Sequence, residues 1–278
     1  MAKFPERSYT PKPRAPERRA LAETAWERPA AWYDQLIGQG GDDFYRDLIL
    51  PAVLQRLDAK HGQRVLDVGC GQGVLGRALA LEGLRSLGVD AAPSLIEAAQ
   101  ARAGKFAEYV LGDARDLPAA LDPLGAAAMC DHAALVMCLQ DLDPIEPALK
   151  GTAKFVRPGG RIVAVMTHPC FRVPRRSSWG WDEDNGVQYR RLDGYLSFMK
   201  VPIKTHPGMP EDPSRTLSFH RPLHSYLNAF AAAGLAVTGC DELCSHRRGT
   251  KGTRYGAEDR AAKEFPVFLV LTAEHRRA

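Results

Sequence analysis

Arg64-Val65-Leu66-Asp67-Val68-Gly69-Cys70-Gly71-Gln72-Gly73-Val74-Leu75-Gly76 is the stretch that decides the fold. A short apolar run of strand type breaks into four glycines within eight residues, after which Val74, Leu75, Ala78 and Leu79 take up helical spacing. Strand, glycine-rich turn and helix in that order set bare backbone amides at a helix N-terminus, because glycine has no Cβ and takes positive φ freely. Read literally, residues 71–76 spell G-x-G-x-x-G, a pattern that by itself points only weakly to a dinucleotide. Asp67 argues against that reading. A carboxylate at the end of the strand would face a pyrophosphate with like charge, and would instead favour a ligand carrying positive charge.

The same grammar recurs downstream. Ser86-Leu87-Gly88-Val89-Asp90 is a second strand ending in an acid, 21 residues beyond Gly69. A carboxylate there can accept both hydroxyls of a ribose, a feature that serves a nicotinamide cofactor and S-adenosylmethionine alike. Ala107-Glu108-Tyr109-Val110-Leu111 is a third strand, running into Gly112-Asp113-Ala114. An Asp at that point can accept from an adenine amino group while the neighbouring backbone amide donates to the ring. With Asp67 in place, residues 64–76 resemble motif I of the class I S-adenosylmethionine-dependent methyltransferases, whose cofactor carries an ammonium and a sulfonium, and the resemblance covers most of residues 31–168. It implies a doubly wound, seven-stranded, mostly parallel α/β sheet of Rossmann-like type and S-adenosylmethionine as cofactor. The cofactor-binding residues it implies are Tyr33, Asp67, Gly69, Gly71, Gly73, Asp90, Ala91, Asp113, Ala114 and Asp131.

The rest of the chain fits around this core. With 278 residues and 45% apolar content it can bury one large core, and no run approaches a membrane span or a secretory signal, so a cytoplasmic protein is expected. Residues 1–29 are rich in proline and charge and are expected to form a mobile basic arm; the first 28 hold seven Lys or Arg against four Glu, most of the net charge of +4. The nearly neutral remainder argues against a broad nucleic-acid-binding face. Six scattered cysteines suit reduced thiols; Cys240-x-x-x-Cys244 with His246 has no second pair at metal-site spacing, so no metal is expected. Helices are expected around Trp32–Ile37 and Phe44–Leu57, and Ser94-Leu95-Ile96-Glu97 has a capping-box pattern. The apolar run 126–130 is taken as the fourth strand, Asp143-Pro144 as the start of the following helix, and Ile162–Met166 as the fifth strand.

From Thr167 to about Phe219 the composition turns to Trp, Tyr, Arg, Pro and His, and residues 168–220 are expected to form a lid-like insertion within a methyltransferase domain spanning 30–278. An amphipathic helix follows, and two last strands near 235–240 and 265–271 close the sheet, joined by a solvated basic loop containing Arg247, Arg248, Lys251 and Arg254. His168 directly follows the fifth strand, His132 the fourth, and His220 lies where the insertion rejoins the core, so these are the candidate general bases in that order. Residues 218–228 resemble the small-molecule, type 11 branch of the family, and no Asn-Pro-Pro-Tyr signature follows the fourth strand. The expected reaction is therefore methyl transfer to a small-molecule acceptor, with O- or C-methylation favoured. The rival readings are a nicotinamide-dependent oxidoreductase and a catalytically silent cofactor-binding or RNA-associated protein.

Overall fold

The computed structural model describes residues 26–204, 215–249 and 252–275. In chain order the strands are β1 (Arg64–Val68), β2 (Arg85–Asp90), β3 (Ala107–Leu111), β4 (His132–Val136), β5 (Arg161–Thr167) and β6 (Ser177–Asp182). They continue with β7 (Val187–Leu192), β8 (Met199–Lys204), β9 (Arg215–His220), β10 (Leu235–Leu243) and β11 (Phe268–His275). The α-helices are α1 (Ala30–Ile37), α2 (Leu50–Leu57), α3 (Val74–Leu81), α4 (Pro93–Ala101), α5 (Leu117–Leu121), α6 (Glu146–Phe155), α7 (Leu223–Ala232) and α8 (Tyr255–Glu264). A single sheet of seven strands runs β10-β11-β5-β4-β1-β2-β3, parallel except for β11, which is antiparallel to both neighbours.

The two-residue period of the strands divides their side chains between two apolar layers. Leu66, Val68, Ala133, Leu135, Ala164 and Met166 pack in one layer with residues of α6 and α7, whereas Val65, Ala134, Val136, Val163 and Val165 pack in the other with α2 and α3. Helices therefore cover both faces, and the central strands can be apolar along their whole length. The chain leaves β1 toward β2 on one side and reaches β4 on the other, so the carboxyl end of β1 is the point where the strand order reverses and a crevice opens.

Four expectations need correction. The fourth strand is His132–Val136; residues 122–128 instead form tight 3₁₀ turns around Pro123 and a left-handed Gly125. Register explains the shift: Ala133 and Ala134 must lie beside Leu66 and Asp67 for β4 to fill the slot between β1 and β5. The helix after β4 begins at Glu146 and not at Pro144, because the Asp143 carboxylate accepts from Arg221 (2.8 Å) instead of capping the helix. Helix α4 opens at Pro93 with no side-chain cap, and Ser94 bonds to Glu27. Finally, β10 and β11 are joined through α8, and the loop before it is not simply solvated: Arg247 clasps Asp43 and lies 4.1 Å over the Phe44 ring, while Arg254 lies 4.6 Å over Trp181. Lys251 lies outside the described residues.

The segment between β5 and α7 forms two antiparallel hairpins, β6–β7 and β8–β9, separate from the main sheet. Of the expected arm, residues 1–25 lie outside the described residues, but Trp26–Pro29 form a turn that belongs to the folded body. Trp26 packs edge-on against Tyr33, and Glu27 bonds to Ser94 at the start of α4. Among the described residues no helix is long and apolar enough to cross a membrane.

Candidate active site

The glycine turn after β1 has the conformation its composition demands. Gly69, Gly71 and Gly73 all have positive φ, at 71°, 52° and 81°. At Gly69 a Cβ would stand 2.6 Å from the Cys138 Cβ, so the turn after β4 can close on it only if this residue lacks a side chain. Gly71 donates its amide to Asp90 at the end of β2 (2.9 Å), and the other Asp90 oxygen accepts from the Ala92 amide (2.9 Å). Gln72 ties the turn to the N-terminal cover. Its Nε2 donates to the Gly38 carbonyl (2.7 Å), and its Oε1 accepts from Arg77 and Arg102, the latter also paired with Asp34 of α1.

Asp67 sits beneath this turn, 2% exposed, and its Oδ2 has no hydrogen-bond partner among the described residues. Burial, and secondarily the Asp90 charge, raise its pKa to about 7. Asp90 is also held above the usual carboxylate range by burial, although its backbone hydrogen bonds pull the other way. Asp141, in the turn after β4, is pushed well above that range by burial and accepts from Trp26, which lowers it in part. Three buried carboxyl groups with no cationic partner among the described residues make a poor seat for a pyrophosphate, and a cation brought near them would favour their charged forms. Asp67 lies behind the cavity wall and not in it, so its orphaned carboxylate oxygen acts on a ligand through the glycine cradle, and the two together fit the positive charge of S-adenosylmethionine, an ammonium and a sulfonium.

A cavity of about 970 Å³ opens at the carboxyl ends of these strands. Tyr33, Gly69, Gly71, Asp90, Ala91, Asp113 and Ala114 line it, as does His220. The Asp113 carboxylate accepts from the Arg115 backbone amide (2.8 Å) and from its guanidinium, by Nη2 (2.6 Å) and by Nε (3.0 and 3.2 Å). The Tyr33 hydroxyl lies 3.3 Å from that of Tyr45, and burial raises both phenols. Gly73 does not reach the cavity; a side chain there would collide with the Tyr109 hydroxyl, so this glycine is required by the packing of α3 against β3.

Asp131 and His132 lie at the wrong end of the sheet. His132 pairs in register with Val65, two residues before Asp67, and Asp131 takes the Arg64 amide (2.8 Å) and the Arg157 guanidinium (2.5 Å). His132 Nδ1 accepts from the Arg161 amide and its Nε2 donates to Gln63, each at 3.1 Å. Neither residue can touch a ligand at the carboxyl edge; the displaced fourth strand is the reason both were placed there.

His168 lies between the cavity-lining Thr167 and Pro169 but is itself buried, 1% exposed. Its Nδ1 accepts from the Cys170 amide (3.1 Å), which fixes the proton on Nε2, and that nitrogen donates to Glu242 (2.7 Å). Both ring nitrogens are committed, and the imidazole pins the turn that leaves β5. His220 differs. Its Nε2 donates to the Tyr195 carbonyl (2.7 Å), so Nδ1 is the ring's acceptor, and burial holds its pKa below the usual histidine value. Residues missed from the sequence follow from the same strand shift: once β4 ends at Val136, the cavity-lining turn is Met137-Cys138-Leu139-Gln140-Asp141, entered through a left-handed Met137 (φ 56°). Trp26 gave no signal apart from its size within a polar segment.

The comparisons with known proteins agree with this geometry. Residues 65–160 match the family model described as a methyltransferase domain. An O-methyltransferase of Aspergillus sclerotiorum is 34% identical over 144 residues, covering 44% of this chain and 52% of that protein. A ubiquinone biosynthesis O-methyltransferase of Vibrio atlanticus is 30% identical over 122 residues, covering 41% of this chain and 48% of that protein. The chain thus spans about half the length of these curated relatives. Among solved structures, an S-adenosylmethionine-dependent methyltransferase from Mesorhizobium loti superposes with a TM-score of 0.61 at 24% identity, covering 85% of this chain and 100% of that one, a likeness of fold. Strand order, the acid-flanked glycine turn and the matched region lead to one conclusion: residues 65–160 carry a methyltransferase domain, in a fold shared with solved S-adenosylmethionine-dependent methyltransferases.

Proposed function

We propose that this protein transfers a methyl group from S-adenosylmethionine to a hydroxyl oxygen of a small molecule. The observation that carries the reading is the buried, unpartnered Asp67 oxygen beside Asp90 at the glycine turn. Bound there, S-adenosylmethionine supplies a methyl carbon on a positively charged sulfur. Asp67 and Asp90 complement that charge through a medium of low polarity, where it counts for more than in water. The remaining lone pairs of Asp90 would accept the ribose hydroxyls, and Asp113 with the Ala114 amide would hold the adenine. Tyr33, Trp26 and α1 cover the site and exclude water.

His220 holds the catalytic proton in this reading. Its Nδ1 is unprotonated at neutral pH, since burial lowers the imidazole pKa, and it can take the proton of the acceptor hydroxyl. The O-methyltransferases among the relatives support oxygen as the acceptor atom. Calorimetric titration with S-adenosylhomocysteine and with NADH tests the cofactor assignment. Only the former should bind, and Asp90→Ala should weaken it by about 30- to 1,000-fold, the effect of about 2–4 kcal/mol of lost hydrogen bonding. Equal affinity in a folded Asp90→Ala protein would remove that residue from the site.

A further inference from the structure

The cavity has a second pole. Arg172, Arg175 and Arg190 line it, and all three come from the chain that follows β5. In the sheet β5 is separated from β1 by β4, so this chain leaves the sheet two strand spacings, roughly 10 Å, from the glycine turn. The acids therefore stand at one end of the cavity and the arginines enter from the other.

None of the three has an anionic partner among the described residues. Arg190 is held by neutral groups: Nε donates to the Phe171 carbonyl (3.0 Å), Nη2 donates to Ser177 Oγ (2.7 Å), and its guanidinium lies 5.0 Å over the Trp179 ring. Arg175 donates to the Pro202 carbonyl (2.7 Å). Arg172 is placed by the turn that His168 pins, its amide donating to the His168 carbonyl (2.8 Å). Arg172 is exposed and Arg190 half-buried, and the charge of Arg172 adds to burial in lowering the pKa of Arg190, so the two guanidiniums sense each other across the cavity wall. The contrast with the neighbouring arginines is plain: Arg115 is paired with Asp113 and Arg221 with Asp143. Two like charges facing one cavity repel each other until an anion joins them, an effect that solvent screens in part.

We infer that the methyl acceptor is an anion, a small molecule whose carboxylate or phosphate is seated by Arg172 and Arg190 while its hydroxyl reaches His220. The inference rests on the methyl-transfer reading. A guanidinium pair suits such a group because each fork donates two parallel hydrogen bonds to a planar carboxylate or to two phosphate oxygens. The cavity then separates its two charges, with the cationic ligand over the acids of β1 and β2 and the anionic one over the arginines that follow β5.

The test is calorimetric titration of the protein loaded with S-adenosylhomocysteine, using 4-hydroxybenzoate and 4-hydroxyphenyl phosphate as anionic probes and 4-hydroxybenzamide as the neutral control. At least one anion should bind, more weakly as salt rises, and the tighter of the two tells carboxylate from phosphate. Arg172→Gln and Arg190→Gln should each weaken it about tenfold or more, with Arg172→Lys and Arg190→Lys losing less, while the affinity for S-adenosylhomocysteine and the melting temperature stay at wild-type values. Three results overturn the inference: no saturable anion binding, equal binding of the neutral amide, or Gln variants that bind the anions as the wild type does. A fall in S-adenosylhomocysteine affinity in the Gln variants also overturns it, since the arginines would then hold the carboxylate of the cofactor itself. Failure of the wild type to bind S-adenosylhomocysteine removes the methyl-transfer reading, and the inference with it.

Discussion

The two ends of the central strands carry the same kinds of side chain in opposite conditions. At the amino ends Asp131 and His132 have every hydrogen-bonding atom of their side chains engaged, by Arg64, Arg157, Arg161 and Gln63. At the carboxyl ends, among the described residues, Asp67 is buried with an oxygen unbonded and His220 keeps one ring nitrogen as an unengaged acceptor, while burial raises Asp67, Asp90 and Asp141. Only a few residues along each strand separate the two conditions. The difference teaches that a carboxylate or an imidazole near a sheet signals function through what it lacks, not through its identity. Closed networks hold the scaffold; open ones await a ligand.

The comparison breaks most sharply at His220. His220→Gln should lower turnover by about 10²- to 10⁴-fold with cofactor affinity unchanged. In the wild type the rate should be flat at neutral pH and fall only below the ordinary histidine pKa, because burial shifts His220 downward and its free base persists to lower pH. A pH–rate profile of both proteins decides this, and a variant with normal turnover would leave the open acceptor without a catalytic role.

Asp67→Asn sharpens the comparison through opposing effects on binding and stability. The folded-state pKa of Asp67 is raised to about 7 against an unfolded value near 4, so the ligand-free protein is progressively destabilised as pH rises between these values, by at most about 4 kcal/mol. The asparagine variant should therefore melt higher than wild type at pH 8, with the gap closing toward pH 4, yet bind S-adenosylhomocysteine about tenfold more weakly or worse. Melting curves across pH with parallel titrations check both halves. A variant less stable than wild type at pH 8 would mean that the carboxylate serves the fold.

The smallest effects belong to the closed network. Asp131→Asn and His132→Gln should each cost about 1 kcal/mol of stability and leave cofactor affinity and the pH–rate profile as they were. Denaturant titration alongside kinetics tests this, and a changed rate profile would erase the distinction between the two ends.

Much of the fold was legible in residues 64–113 because three strands in succession end in an acid and the turns between them are short. The cavity-lining positions Gly69, Gly71, Asp90 and Asp113 were legible for the same reason. The failures share a physical origin. Ala126–Cys130 has the apolarity of a strand, but nothing local tells that the chain turns at Pro123 and Gly125 and pairs only from His132 onward; register is fixed by neighbours far away in sequence. That one displacement misplaced Asp131 and His132 and concealed Cys138 and Asp141. His168 was correctly located at the end of β5, yet its partner Glu242 lies in β10, and no spacing rule connects the two. Arg172 and Arg190 could be seen as charges, but whether a charge is paired is a property of the tertiary fold.

The cover of the site has a particular place in the order of synthesis. Phe44 packs edge-on against Phe268 of β11 and against His246, and Asp43 is clasped by Arg247, so the segment between α1 and α2 is seated on residues translated more than two hundred positions later. During translation the acid-lined crevice after β1 and β2 is built early, and α1 can already be tied over it through Gln72, Ser94 and Arg102. Only when β11 has emerged and paired with β5 can the segment between α1 and α2 settle on Phe268. The roof is thus completed in two stages, and the second waits for β11.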